Sequence, residues 1–360
     1  MIDSTSFERL RGIGLGAALV QQLVTLRHAC AEPALMRVTE VQREGIGLHD
    51  GQQEHPARLL PALRATLSAE GEAIAVGDWV LAQRNDLGEW WAHERIPPLN
   101  QLARRLHDGR DKVTRVVIVS NVDTALLVMG LDHDFSLRRL ERFVALVQMA
   151  RVTPVVVLSK ADLCTDTPRR LQQVQSLLPP EAAVVAVNAL DAASCEALSP
   201  WLRYGQTLVL LGSSGTGKST LTNTLMGSTV ADTGANRRDD SRGRHTTTTR
   251  TLHRAPGGAC IIDTPGLRTL RLDGDAAELG AAFSDIAELA PRCRFRDCRH
   301  EDEPGCAVRE QVPPERLKNY NKLLREARRD TLTALERKVQ VQQWKSRSRH
   351  ARIRAEGKRG

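Results

Sequence analysis

No stretch of this chain is apolar for long enough to cross a bilayer. Met1 to Leu10 carries Asp3, Glu8 and Arg9 where a secretory signal needs an apolar h-region. Neither a membrane span nor a leader is expected, so the reading places the protein in the cytosol. A disulfide framework is excluded as well. Of the seven cysteines, Cys30, Cys164, Cys195 and Cys260 stand singly, and only Cys293, Cys298 and Cys306 crowd together. Acidic residues are in deficit, 43 against 51 Lys and Arg, for a net charge of +8 and a pI near 9.4. Most of the excess lies between Lys338 and Gly360, where eight basic residues face Glu356 alone. A cationic arm on a nearly neutral body suits a polyanion, most often nucleic acid, or else serves only solubility.

At 360 residues the chain is too long for one compact domain and suggests two or three. Its organising stretch is Gly212-Ser213-Ser214-Gly215-Thr216-Gly217-Lys218-Ser219, which follows the apolar run Thr207 to Leu211 and leads through Thr220 into a helix-compatible segment. Strand, glycine-rich turn and helix in that order make a P-loop, whose backbone N–H groups wrap phosphates at the positive end of a helix. Lys218 would reach the β and γ phosphates, and the Ser219 hydroxyl would join the Mg²⁺ shell.

The chain begins with a glycine-rich lure, Gly12-Ile13-Gly14-Leu15-Gly16, but no strand precedes it and apolar spacing continues through Leu19, Val20, Leu23 and Leu26. A helical N-terminal extension over 1–35 is expected. Short alternating stretches then follow, at Met36 to Val41, Ala75 to Leu81 and Trp90 to Ile96. They predict a small β-barrel over 36–105, an OB-fold first and an SH3-like barrel second. Trp79, Trp90 and Trp91 suit either a core or base stacking.

From Val113 the pattern changes to continuous apolar runs: Val116 to Val119, Ala125 to Met129, Pro154 to Leu158, Ala183 to Val187, Leu208 to Leu211 and Cys260 to Ile262. Such runs fit strands buried on both faces, and helical spacing at Leu137 to Ala150 and Arg169 to Leu178 fits an α/β sheet. Ligands then bind at the carboxyl ends of the strands, where every remaining motif falls. Asp263-Thr264-Pro265-Gly266 ends one run; Asp263 would reach Mg²⁺ through water, and the Gly266 N–H would sense the γ-phosphate. Ser159-Lys160-Ala161-Asp162 ends another and resembles the guanine-reading Asn-Lys-x-Asp of GTPases, with Ser159 in place of Asn. Its Asp162 carboxylate can accept from the guanine N1–H and exocyclic amine, a pair of donors that adenine lacks. Asn188 and Ala189 match a last guanine-side motif loosely. Arg242 to Thr249, with four consecutive threonines, suits a switch loop; Thr247, give or take one residue, is its expected Mg²⁺ ligand.

The guanine-reading motif precedes the P-loop, so the GTPase domain is circularly permuted, over 110–285. Parallel strands with their motifs on one edge tolerate that order. Cys293, Cys298, His300 and Cys306 follow it, three thiols and an imidazole suited to one structural, tetrahedral Zn²⁺. Their segment is polar, which makes a metal the expected source of its fold. A basic helix is expected from Glu315 to Val339, leading from a zinc-binding domain over 286–337 into a basic tail over 338–360.

Permuted order, a preceding barrel, Asp263 to Gly266, Gly243-Arg244-His245-Thr246-Thr247-Thr248, Asn121-Val122-Asp123 and the Cys/His spacing together resemble the ribosome small-subunit-dependent GTPase A family, over roughly residues 36–335. The resemblance implies an α/β P-loop GTPase domain, circularly permuted, between an N-terminal OB-fold and a C-terminal zinc-binding α-helical domain. It implies GTP/GDP, the 30S subunit and its 16S rRNA as partners, late 30S maturation, a monomer, and Zn²⁺ and Mg²⁺ as cofactors. Leu267 stands where many GTPases carry a water-orienting Gln, so slow intrinsic turnover is expected, completed by a partner. His245 is the candidate for positioning the water, or else contacts phosphate or RNA. An RNA-binding scaffold and a P-loop ATPase on RNA are the rival readings.

Overall fold

In the computed structural model the described residues are 4–25, 33–107, 113–178, 182–231, 250–264, 279–280 and 282–331. Those of 1–104 and 115–271 form one compact unit, and those of 105–114 and 272–360 a second.

The first unit opens with two short helices, α1 (Ser4–Arg11) and α2 (Ala17–Thr25), joined by a turn. Leu10, Ile13, Leu15 and Leu19 are buried, so the glycines of the expected extension serve packing against the body. Five strands follow: β1 (Ala34–Val41), β2 (Ile46–His49), β3 (Glu54–Leu59), β4 (Trp79–Arg84) and β5 (Trp90–Arg95). Pairing runs β1-β2-β3-β5-β4 and returns from β4 to β1, which closes the barrel and leaves none of the five as a free edge. β3 and β5 are parallel, and helix α3 (Pro61–Ala69) lies between β3 and β4 in the chain. Leu63 and Leu67 of α3 join Met36, Val38, Leu48, Val80 and Ala92 in one core. This is the OB-like closure rather than the SH3-like alternative. Trp79 is a core residue; Trp90 packs against that core and carries Arg84 over its ring at 4.9 Å, while Trp91 carries Arg58 at 5.8 Å.

Parallel strands β8 (Thr124–Gly130), β9 (Thr153–Ser159), β10 (Ala183–Ala186), β11 (Thr207–Leu211) and β13 (Cys260–Asp263) build the GTPase sheet, in the order β10-β9-β8-β11-β13. Val155 to Leu158 and Leu208 to Leu211 are wholly buried, each side chain worth roughly 1.5–3 kcal/mol on leaving water. Helices α4 (Leu137–Met149), α5 (Thr167–Gln175) and the short α6 (Ala192–Cys195) are capped by the side chains of Ser136, Asp166 and Asp191.

Two strands depart from expectation. Val116 to Val119 sits in β7 (Val113–Ser120), which pairs with β6 (Gln101–His107) in a separate two-stranded sheet, not in the parallel one. An apolar run announces burial but not its partner, and here the partner is the strand next before it in the chain. β12 (Thr251–Arg254) is an added strand, antiparallel to β13 on one side and paired with β1 on the other through Glu40 and Thr251. The barrel and the GTPase sheet thereby share one eleven-stranded sheet.

Beneath that junction lies Arg37 of β1, with no exposed surface. Its Nη1 donates to Ile13 O and, at 2.8 Å, to Thr207 Oγ1, while Nη2 donates to Asn121 O at 3.0 Å. The guanidinium lies 5.6 Å from the Trp79 ring. Gly14, with φ +93°, passes beneath it, and a Cβ there would stand 2.0 Å from Nη1.

In the second unit, helices Ser284–Leu289, Ala307–Gln311 and Pro314–Thr331 gather Phe283, Ile286, Val308, Leu317 and Leu323 into a small core. Arg316 grips Asp285 with two nitrogens at 2.8 Å each, and Phe283 meets Tyr320 edge to face at 5.2 Å. The expected basic helix is described as far as Thr331; the basic tail lies outside the described residues.

Candidate functional site

The loop after β11 turns back through Gly212, whose φ is +152° and whose added Cβ would stand 2.2 Å from Val128 O. Only glycine fits there. Helix α7 (Lys218–Met226) starts where Gly217 ends the turn in left-handed conformation. Lys218 Nζ donates to Gly212 O at 2.9 Å and Ser213 O at 2.6 Å, and Thr216 Oγ1 donates to Ser213 O at 3.0 Å. The loop is therefore a closed ring of backbone with a nearly buried ammonium in it, at the positive end of a helix.

The neighbouring strands bring the other motifs to the same edge. Ser159, the last residue of β9, sends its hydroxyl 2.6 Å to Thr216 O. The serine that stands in place of Asn is thus bonded directly to the phosphate-loop backbone. Ala161 N donates to Val187 O at 3.2 Å, and Thr224 Oγ1 of α7 donates to Ala189 O at 2.6 Å, which ties the 159–162 and 187–189 segments to the P-loop helix. Asn188 folds its own side chain back to accept from Leu190 N at 3.0 Å. Asp162 stands exposed in a short 3₁₀ turn. On the other side Asp263 ends β13 in register with Leu210 of β11, and Thr264 Oγ1 donates to Leu210 O at 2.5 Å. Ser219, Thr220 and Asp263 thus stand around the carboxyl ends of adjacent strands. His245, Thr247 and Gly266 lie outside the described residues.

Sequence reasoning missed Asp132, in the loop after β8. Its Oδ2 accepts from Lys160 Nζ at 2.6 Å, and its Oδ1 from Asp134 N at 3.0 Å. Burial works against the charge, yet the Lys160 hydrogen bond leads the groups that hold this carboxyl below the usual range. The available signal was position: an acidic loop at the carboxyl end of the strand between the two motif-bearing ones.

In the second unit the donor atoms of Cys293, Cys298, His300 and Cys306 all lie within 4.8 Å of one another. Cys293 Sγ is 3.6 Å from His300 Nδ1 and 3.9 Å from Cys306 Sγ, and His300 Nδ1 is 3.4 Å from Cys306 Sγ. Desolvation first, then the neighbouring Cys306 and Cys293 sulfurs, push the Cys298 thiol up to about 11. Thiols so crowded ionise together only beside a cation.

A P-loop pattern, with the segment resembling Asn-Lys-x-Asp encoded before it and the Asp263 strand encoded after it, has the order of a circularly permuted P-loop GTPase. The two solved structures compared agree on the fold: YjeQ from Thermotoga maritima matches with a TM-score of 0.61 at 23% identity over 82% of this chain and 99% of that one. YloQ, a circularly permuted GTPase, matches with a TM-score of 0.58 at 23% identity over 86% of this chain and 100% of that one. The RsgA GTPase family model matches residues 97–273. Small ribosomal subunit biogenesis GTPase RsgA 2 of Vibrio parahaemolyticus is 45% identical over 276 residues, 75% of each chain. RsgA of Xanthomonas campestris pv. campestris is 44% identical over 312 residues, 84% of this chain and 82% of that one. This chain belongs to the RsgA GTPase family, and it is a GTP-hydrolysing enzyme.

Proposed function

We propose that the chain hydrolyses GTP at the edge formed by Gly212 to Thr220 and Ser159 to Asp162, in the service of small ribosomal subunit biogenesis. The observation that carries the site is the Ser159 Oγ to Thr216 O bond of 2.6 Å, which locks the guanine-reading motif to the phosphate loop. The partner rests on the names of relatives at 44–45% identity, small ribosomal subunit biogenesis GTPases.

In this reading water attacks the γ-phosphate in line. Lys218 Nζ and the loop amides meet the charge that spreads over the transferring group, in a geometry fixed before the reaction begins. Asp162 selects guanine. Ser219 and Asp263, with Thr247 from the switch loop, offer the hard oxygen ligands that Mg²⁺ requires, and when bound that ion neutralises phosphate charge. His245 positions the water, and Leu267 leaves the site incomplete until the subunit completes it. Phosphate release from GTP and from ATP, each with and without purified 30S subunits at fixed salt, tests this. Slow GTP turnover should rise on the order of 10²-fold or more with the subunit, while ATP stays inert. An equal response to ATP removes the guanine assignment, and no response to the subunit removes the partner.

The Cys293, Cys298, His300 and Cys306 cluster holds one structural Zn²⁺ in this proposal. A tetrahedral site with Zn–S near 2.3 Å and Zn–N near 2.0–2.1 Å has S···S and S···N edges of about 3.8 and 3.6 Å. The distances of 3.9, 3.6 and 3.4 Å among Cys293, His300 and Cys306 match three edges of that tetrahedron, and Cys298 Sγ lies within 4.8 Å of each of them. Purified protein should release a single zinc to a chelator after thiol modification. Cys306→Ser should purify with well under that amount and with reduced helical ellipticity, because the metal supplies much of the folding free energy of so polar a segment. Full ellipticity without zinc would mean that the core around Phe283 folds unaided.

A further inference from the structure

Lys160, the residue after β9, stands in the left-handed region, with φ 60°. A lysine persists there only where its surroundings impose the conformation. The backbone is held there by Ala161 N, which donates to Val187 O at 3.2 Å, and by Leu163 N, which donates to Lys160 O at 3.1 Å; the side chain is held by Asp132. Its carboxylate takes the ammonium at 2.6 Å, and the loop that carries it is pinned to the same strand end: Gly130 pairs with Ser159, and Leu131 N donates to Ser159 O at 2.9 Å. Ser159 in turn bonds to Thr216 O at 2.6 Å. One continuous line of contacts therefore runs from Asp132 through Lys160 and Ser159 to the phosphate loop. Both charged groups are largely covered, with 29% and 20% of their side chains exposed. Exposed His133 places its Nδ1 3.7 Å from the same oxygen.

We propose that Asp132 is a positioning residue for guanine nucleotides: it fixes the Lys160 ammonium so that the four-carbon stem lies as an apolar floor for the base beside Asp162. The inference rests on the reading of this edge as the GTP site. An untethered lysine would sample many rotamers, and each bound nucleotide would have to order it again. It would also be drawn towards the phosphates that Lys218 serves. Tethering spends Lys160 on the base alone.

The test is a double-mutant cycle of Asp132→Asn and Lys160→Ala in the full chain, reading KM and kcat for GTP together with the melting temperature. Loss of a charge-assisted hydrogen bond should raise KM about tenfold in Asp132→Asn while kcat at saturation is kept. Asp132→Glu should restore most of the affinity. In the Lys160→Ala background, Asp132→Asn should add nothing further. An unchanged KM overturns the proposal. So does a loss fully additive with Lys160→Ala, since Asp132 would then touch the nucleotide itself, for instance at the ribose. A lowered melting temperature that Asp132→Glu does not restore marks a purely structural residue and overturns it too. A wild type inert towards GTP would instead sink the functional reading, so the two failures are separable.

Discussion

Alanine at position 218 leaves a folded protein whose kcat/KM for GTP is lower by on the order of 10²–10³, the usual cost of deleting one fixed donor to transition-state charge. Lys218 Nζ already sits over the loop, 2.9 Å from Gly212 O and 2.6 Å from Ser213 O. It therefore needs little reorganisation to meet a phosphate. The fold should survive, because the turn is held by the glycine conformations and by Ser159 and Thr216 rather than by the lysine alone. Arginine should not rescue the activity, since its planar fork is too bulky for a ring built around a point charge. The measurement is phosphate release in the presence of 30S subunits, with the melting temperature as control. Turnover within a few-fold of wild type would remove Lys218 from the reaction and leave the loop as a binding element.

The parts of this molecule legible in the sequence are those where one local rule decides the outcome. Continuous apolar runs named β8, β9, β10, β11 and β13 because strands covered on both faces carry no alternation. Glycines at 212, 215 and 217 named the turn because all three adopt positive φ. β2, β3 and β12 were not legible: they are short, and their Gly47, Pro56, His55 and His253 dilute any strand signal, so barrel closure makes β2 and β3 strands and pairing with β13 and β1 makes β12 one. β7 was legible as a strand but not in its pairing. Asp132 was hidden for a different reason: its role depends on which side chain a loop brings to it, and no spacing rule encodes that. The three thiols and the imidazole were legible as a set, since the spacing itself brings them within reach.

The start of the chain was legible as a helical extension, but the use of its glycines was not, because that use depends on Arg37. Arg37→Ala should destabilise the first unit by about 3–5 kcal/mol, the range for removing one partner from a buried ionic network. Ile13 O and Asn121 O would lose their charged donor, each unmet acceptor costing about 1–3 kcal/mol, and the nearby Asp123 carboxylate would lose a buried counter-charge. Arg37→Lys should recover only part of this. A single ammonium cannot span acceptors that the fork reaches with two nitrogens, and these lie 24 and 84 residues away in the chain. Gly14→Ala should act in the same direction, because its methyl would occupy the space of Nη1. The denaturant midpoint, followed by tryptophan fluorescence with Trp79 5.6 Å from the guanidinium, reads all three. A lysine variant as stable as wild type would reduce the staple to a buried charge. An alanine variant within about 1 kcal/mol would mean that the shared β1–β12 pairing already holds the N-terminal helices, barrel and GTPase sheet together, with Arg37 filling space between them.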